Sequence, residues 1–332
     1  MKQLAIIGAG SWGTALAIIA ARAGHSVRLW SRDATVVDSI NNARVNSRYL
    51  TGASIPAGVT GTTELNSALR GTPMVLLAVP SHAVRQTLSA MTSALEETAI
   101  VVNVAKGIEI DSGKRMSEIA KEIVGNTRPF VALSGPSFAK EVIAGHPTAI
   151  VAASKDNAAA RAVQNDLSFE NLRVYTNADV VGTELGGSVK NVMAIAAGMT
   201  VGLGFGSNTV AALITRGLAE ITRLARREGA QLETLMGLAC LGDLVLTCTG
   251  TLSRNRFVGE ELGKGRTIEE VTSELNEVAE GIKTASAVKK LATRAGLEMP
   301  ITNEVNAVLY DGKSARDAVT ELMSRPLREE RT

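Results

Sequence analysis

The chain is short of the residues that mark several protein classes. Its 332 residues include only two cysteines, Cys240 and Cys248. Two such thiols make neither a disulfide scaffold nor a metal site, and a reducing cytoplasm suits them best. Aromatic residues make up 3%, too few for the stacking platforms that grip single strands. Lys plus Arg number 35 against 33 Asp plus Glu, a net charge of +2. That leaves no basic footprint for nucleic acid. The apolar run 192–205 is too short to span a bilayer. The apolar stretch after Lys2 is broken by glycines and followed by Arg22, as in a buried βα unit and unlike an export signal. No metal, no nucleic acid and no stable membrane insertion are therefore expected.

What remains is an ordinary globular composition, 45% hydrophobic and 20% charged, in a chain long enough for two domains. Its most informative segment is Gly8-Ala9-Gly10-Ser11-Trp12-Gly13. Apolar Leu4–Ile7 precede it as a strand, and Thr14–Ala20 follow it as a buried helix. Strand, G-x-G-x-x-G, helix is the context of a dinucleotide site. Gly8 tolerates the positive φ of a tight turn. Gly10 lets the backbone approach a pyrophosphate, and Gly13 lets helix and strand pack closely. The pyrophosphate would meet free N–H groups at the positive end of the helix.

Further apolar strands are expected at 26–30, 74–79, 99–104, 130–133, 149–152 and 172–175, with helical patterns between them. Continuous apolar strands alternating with helices indicate a mostly parallel sheet covered on both faces. After about Asp179 the strand runs stop, and helical patterns occupy 209–228, 268–275, 285–295 and 301–309. The expected architecture is an α/β, Rossmann-type, doubly wound domain over residues 1–180. An all-α domain over 181–332 follows it, carrying substrate-binding and catalytic residues.

In open α/β sheets, ligands bind beyond the carboxyl ends of the strands. Ser81, His82, Lys106, Ser134, Gly135 and Ser137 fall there. The second domain adds Gly186-Gly187-Ser188-Val189-Lys190-Asn191. Two glycines within a helix lower its stability, so something is expected to approach them closely. Lys190 lies beside a strongly apolar helix. A lysine in such surroundings has a lowered pKa and can serve as a general base; a snorkelling surface lysine is the alternative. Gly242-Asp243-Leu244 and Thr247 precede Ser253-Arg254-Asn255-Arg256. There Ser253 is a candidate N-cap, and Arg254 at the helix start is a natural phosphate partner.

These segments, with Val79-Pro80-Ser81-His82, Ala105-Lys106-Gly107, Ser134–Glu141, Ala212–Gly217, Gly242–Thr249 and Val278–Gly281, together resemble the bacterial NAD(P)-dependent glycerol-3-phosphate dehydrogenases over nearly the whole chain. The glycine motif is shared by many dehydrogenases; the joint set is specific. The resemblance implies reversible reduction of dihydroxyacetone phosphate to sn-glycerol 3-phosphate, supplying glycerophospholipid synthesis. It implies that Lys190 is the acid/base, that Lys106 touches both cofactor and substrate, and that Asp243 orients Lys190 or a substrate hydroxyl with help from Thr247. Gly135, Ser137, Asn191, Ser253, Arg254 and Asn255 match substrate-contacting positions. Ser11, Trp12, Arg32, Ala139, Arg254, Val278 and Glu280 join Gly8, Gly10 and Gly13 on the cofactor side. A homodimer is the default assembly.

The residues also bear on cofactor choice. An acid at the tip of the second strand marks NAD, and an Arg there accommodates a 2′-phosphate. The strand over 27–30 ends in Ser31-Arg32-Asp33, so Arg32 favours NADPH. Asp33 either serves NADH or caps the next helix. The histidines offer no His–Asp acid/base, His82 having no evident acidic partner. The nearest rival is a 6-phosphogluconate or β-hydroxyacid type of dehydrogenase, which has a similar lysine motif but not the Gly242–Asn255 block. A non-catalytic NADPH-binding regulator would need only the glycines, not Lys106, Lys190 and Asp243 together.

Overall fold

Ten strands form in the first 177 residues: β1 (Gln3–Ile7), β2 (Ser26–Trp30), β3 (Val45–Asn46), β4 (Leu50–Ser54), β5 (Val59–Thr62), β6 (Met74–Leu77), β7 (Ile100–Asn103), β8 (Phe130–Ser134), β9 (Thr148–Ala153) and β10 (Leu172–Asn177). The computed structural model describes residues 1–275, 278–327 and 329–330. Arg331 and Thr332, the end of the expected second domain, lie outside the described residues.

Eight strands make one sheet in the order β10-β9-β8-β7-β6-β1-β2-β5. Every pairing in it is parallel except β8 with β9. Residues alternate faces along a strand, and β1 shows the consequence. Leu4 and Ile6 enter one apolar layer with Leu16 and Ile18 of the helix Ser11–Arg22. Ala5 and Ile7 enter the opposite layer with Leu88, Met91 and Ile119. A sheet covered on both faces needs unbroken apolar strands, which is why β1 and β6 read as such. The order reverses where β1 lies between β2 and β6, so the ligand crevice opens at the carboxyl ends of β1 and β6.

Three strands lie outside the expected set. Edge strand β5 has only Val59 as an apolar residue, and β3 with β4 forms a separate antiparallel hairpin. The expected strand at 74–79 ends at Leu77, although the Ala78 N–H still donates to Ile7 O at 2.8 Å.

Beyond β10 the described residues are helical or irregular. The helix Val180–Gly202 begins at Asp179, whose side chain caps it by accepting from Gly182 N at 2.8 Å. It is buried along almost its full length, so it has no polar stripe and reads as a run. Helices Ser207–Arg227, Asp243–Thr249, Arg254–Gly263 and Glu280–Ala295 surround it.

Its contact with Arg254–Gly263 is backbone against backbone. A Cβ on Gly198 would stand 2.0 Å from Arg256 O, and one on Gly259 would stand 1.9 Å from Ile195 O. This approach fixes the start of the second helix, with Arg254 and Asn255, against the middle of the first.

The helix expected from residue 285 starts earlier, at Glu280, because Gly281, Lys283 and Thr284 interrupt its apolar period. The stretch Leu232–Thr249 has the length and apolarity of a membrane span. The fold divides it into the helix Leu232–Leu235, a wide turn over Leu238–Gly242 and the helix Asp243–Thr249.

Candidate active site

The glycine loop connects β1 to the helix Ser11–Arg22 at the mouth of the crevice. Gly8 has φ of 119°, and a Cβ there would stand 2.5 Å from Ala78 O. A Cβ on Gly13 would stand 1.9 Å from Gly8 O. Any side chain at either position would fill the cradle or force the helix away from the sheet. Gly10 is the helix N-cap and supplies no side-chain cap, so the N-terminal turn faces the crevice with its N–H groups and positive dipole. These features fit a pyrophosphate.

The hairpin that the sequence reading missed braces this loop. Buried Asn46 donates to Ala9 O and to Thr14 Oγ1, both at 2.8 Å, and Ser11 Oγ donates to Tyr49 O at 2.5 Å. Trp12 and Ala139 are half-buried and pack on the same core.

At the tip of β2 the two expectations for Asp33 separate. Its carboxylate accepts from Thr35 N at 2.9 Å and caps the helix Ala34–Asp38. Its other oxygen pairs with Arg48 at 2.5 Å. Asp33 is thus committed as a cap, while Arg32 is exposed.

Lys106, Lys190 and Asp243 meet at the opposite side of the crevice. Lys190 Nζ donates to Asp243 Oδ1 at 2.8 Å and to Thr247 Oγ1 at 2.6 Å. Lys106 Nζ donates to Asp243 Oδ2 at 2.7 Å and to Gly135 O at 2.9 Å. An ammonium has three protons, so each lysine keeps one N–H beyond these bonds.

Lys190 is only 6% exposed. Burial pushes its pKa down to about 8; Lys106 adds to that effect and Asp243 opposes it. Burial would raise the Asp243 carboxyl, but the two ammonium groups outweigh it and hold the pKa below its ordinary value. Two cations on one carboxylate leave the cluster with one net positive charge, which favours an anionic ligand.

The expected close approach to the paired glycines is present. A Cβ on Gly186 would stand 2.5 Å from Cys240 Cβ, and one on Gly187 would stand 2.6 Å from Ser134 Oγ. Ser137 Oγ donates to Gly135 O at 2.9 Å. Ser253 is the N-cap of its helix, accepting from Arg256 N at 3.2 Å. Arg254 follows it on an exposed edge; protein crowding lowers its pKa while Glu280 opposes this. A guanidinium stays charged under such a shift.

Asn191 and Asn255 are largely committed to one another. Gly281 N donates to Asn255 Oδ1 at 2.9 Å, Asn255 Nδ2 to Asn191 Oδ1 at 3.0 Å, and Asn191 Nδ2 to Lys106 O at 3.4 Å. They brace the lysine segment from behind.

Glu280 takes a role that the sequence did not reveal. It accepts from Ser81 N at 2.9 Å and from Ser81 Oγ at 2.5 Å, joining the helical part to the loop after β6. His82, for which the sequence shows no acidic partner, has Glu280 as a neighbour. Burial lowers the His82 pKa, Lys283 and Arg32 act in the same direction, and Glu280 opposes them. Val278 is exposed two residues before Glu280. Among the described residues no group of three or more His, Cys, Asp or Glu side chains could hold a metal ion.

Comparison with known proteins shows which family the whole chain resembles. Residues 3–160 match the family model for the NAD-dependent glycerol-3-phosphate dehydrogenase N-terminus, and residues 179–320 match that for its C-terminus. The chain is 53% identical over 330 residues to a glycerol-3-phosphate dehydrogenase [NAD(P)+] of Koribacter versatilis, covering 98% of each. It is 50% identical over 331 residues to one from a Geobacter species, covering 99% of each. A crystal structure of glycerol-3-phosphate dehydrogenase from Coxiella burnetii superposes with a TM-score of 0.95 at 40% identity, over 98% of this chain and 99% of that one.

Proposed function

The chain belongs to the NAD-dependent glycerol-3-phosphate dehydrogenase family, and from that premise we propose that Lys190, Lys106 and Asp243 carry the chemistry of an NAD(P)-dependent oxidoreductase. The reaction is the reversible reduction of dihydroxyacetone phosphate to sn-glycerol 3-phosphate. The observation that supports this assignment most directly is the Asp243 carboxylate held between two lysines, each with an N–H left to direct.

The cofactor, when bound, supplies the hydride. Gly8, Gly10, Ser11, Trp12 and Gly13 would hold its pyrophosphate side, Arg32 a 2′-phosphate, and Ala139, Val278 and Glu280 the remainder. NADPH is the favoured form, because Asp33 is already engaged and Arg32 stands at the strand tip; NADH remains the alternative.

In the reduction direction the carbonyl oxygen gains negative charge and then a proton. Lys190 Nζ, with its pKa near 8, is matched to deliver that proton at neutral pH. Lys106 turns its remaining N–H to the same developing charge, a fixed donor in place of water. Asp243 and Thr247 hold Lys190 in place. Arg254, beside the N-cap Ser253, takes the substrate phosphate, with Gly135, Ser137, Asn191 and Asn255 shaping the wall behind it.

We place the dinucleotide domain at 1–180 and the substrate domain at 181–332, and the enzyme in the cytoplasm, where it supplies glycerophospholipid synthesis. A homodimer is supported by the helix Ser207–Arg227, none of whose first ten residues is fully buried, Val210, Leu213 and Ile214 being only partly covered.

The assay that tests the substrate pairs the protein with NADPH and dihydroxyacetone phosphate, and separately with NADP and 6-phosphogluconate. Turnover of the first pair alone is expected. Turnover of the second alone would replace this reading with that of the rival family.

A further inference from the structure

Ser134, at the carboxyl end of β8, is 6% exposed, and its hydroxyl finds no hydrogen-bond partner within the protein. A buried orphan hydroxyl is uncommon and calls for a physical reason. Ser134 borders a small cavity lined also by Asn103, Lys106, Thr183, Glu184 and Gly187. Its free space is about 10 Å³ of positions open to the centre of a water, which is about the room one molecule needs. The missing side chain of Gly187 leaves that room, since a Cβ there would stand 2.6 Å from Ser134 Oγ and 3.7 Å from Lys106 Cγ.

The cavity lies at the join of the sheet and the helices, and Glu184 faces it from the helical side. Its carboxylate accepts from Ser117 N at 2.7 Å, Ser117 Oγ at 2.5 Å and Arg115 at 3.0 Å. A carboxylate offers about four acceptor places, so one remains.

We propose that this cavity binds one ordered water, accepting from Ser134 Oγ and donating to Glu184, and that Ser134 is thereby a positioning residue for Lys106. The coupling to Lys106 is covalent and short. Gly135, the next residue, supplies the carbonyl that fixes Lys106 Nζ at 2.9 Å. A Ser134 anchored through water to Glu184 keeps that carbonyl in place as the cofactor and substrate enter. The catalytic part of this inference rests on the reading of Lys106 given above; the water site itself does not.

Ser134→Ala is the informative variant, because it keeps the backbone and fits the space. If the hydroxyl were a true orphan, its removal would raise Tm, since an unsatisfied buried group is lost. If it anchors a water, Tm falls by about 1–3 °C for a chain of this length. Diffraction from crystals of the unaltered protein should show a solvent peak at hydrogen-bond distance from Ser134 Oγ, absent in the variant. The variant should lose severalfold in kcat, with a smaller change in its Kd for NADPH, since the glycine loop that holds the pyrophosphate is untouched. A raised Tm or an empty cavity overturns the water site, and an unchanged kcat overturns the positioning role. Full activity in Lys106→Ala would instead sink the assignment of Lys106, leaving the solvent peak in place.

Discussion

Lys190 and Asp243, 53 positions apart in the chain, meet at 2.8 Å in the interior of the protein. The lysine is pushed toward its neutral form by burial, and the carboxylate resists that push. The same carboxylate also holds Lys106. Replacing Asp243 by Asn should therefore do more than remove one bond. It leaves the buried Lys190 and the partly buried Lys106 ammonium groups close together without a counter-charge. We expect kcat to fall by about 10²-fold or more, read in steady-state assays. A variant with nearly normal kcat would show that the carboxylate is not required.

The lowered pKa of Lys190 gives a pH dependence with a definite sign. Reduction needs the ammonium form, so its kcat/KM, which follows the free enzyme, should hold below about 8 and decline above it. Oxidation of glycerol 3-phosphate needs the neutral amine, so its kcat/KM should rise through the same region. Parallel pH profiles in the two directions would contradict Lys190 as the group that carries the proton.

Arg32 should discriminate between cofactors. Arg32→Ala is expected to weaken NADPH binding severalfold and leave NADH nearly untouched, measured as Kd by fluorescence titration. Asp33, already capping a helix and paired with Arg48, should act on stability instead. Its replacement by Ala should lower Tm, because the N-cap of the helix Ala34–Asp38 is lost. Equal effects of the Arg32 change on both cofactors would remove it as the 2′-phosphate partner.

Gly259→Ala tests how the substrate side is built. The new Cβ would stand 1.9 Å from Ile195 O, so the helices must separate. A loss of about 1–3 kcal/mol in denaturant unfolding is expected from such overpacking. A raised KM for dihydroxyacetone phosphate should accompany it, since Arg254 and Asn255 open the displaced helix. Unaltered stability and KM would show that the backbone contact is looser than described.

Some of this was legible in the sequence for physical reasons. The requirements on Gly8 and Gly13 are local, one a turn and one a helix start, and a six-residue pattern carries them. Strands β1 and β6 are buried on both faces, so their apolar runs stand out. Edge strand β5 and the hairpin of β3 with β4 have no such run, and they went unread. Lys106, Lys190 and Asp243 could each be named, yet their common carboxylate could not be read, because the contacts span 137 and 53 positions. The same holds for Glu280, whose bonds to Ser81 cross 199 positions, and for buried Asn46 beneath the glycine loop. A hydroxyl with no partner within the protein, such as that of Ser134, leaves no mark in the sequence at all.

The most direct measurement compares the unaltered protein with Lys190→Ala in one experiment, following NADPH absorbance with dihydroxyacetone phosphate present and NADPH affinity without it. The unaltered protein should consume NADPH and form glycerol 3-phosphate, and the variant should bind NADPH as tightly while kcat falls by about 10²–10⁴-fold. Turnover that survives in Lys190→Ala would contradict the assignment of the proton to this lysine.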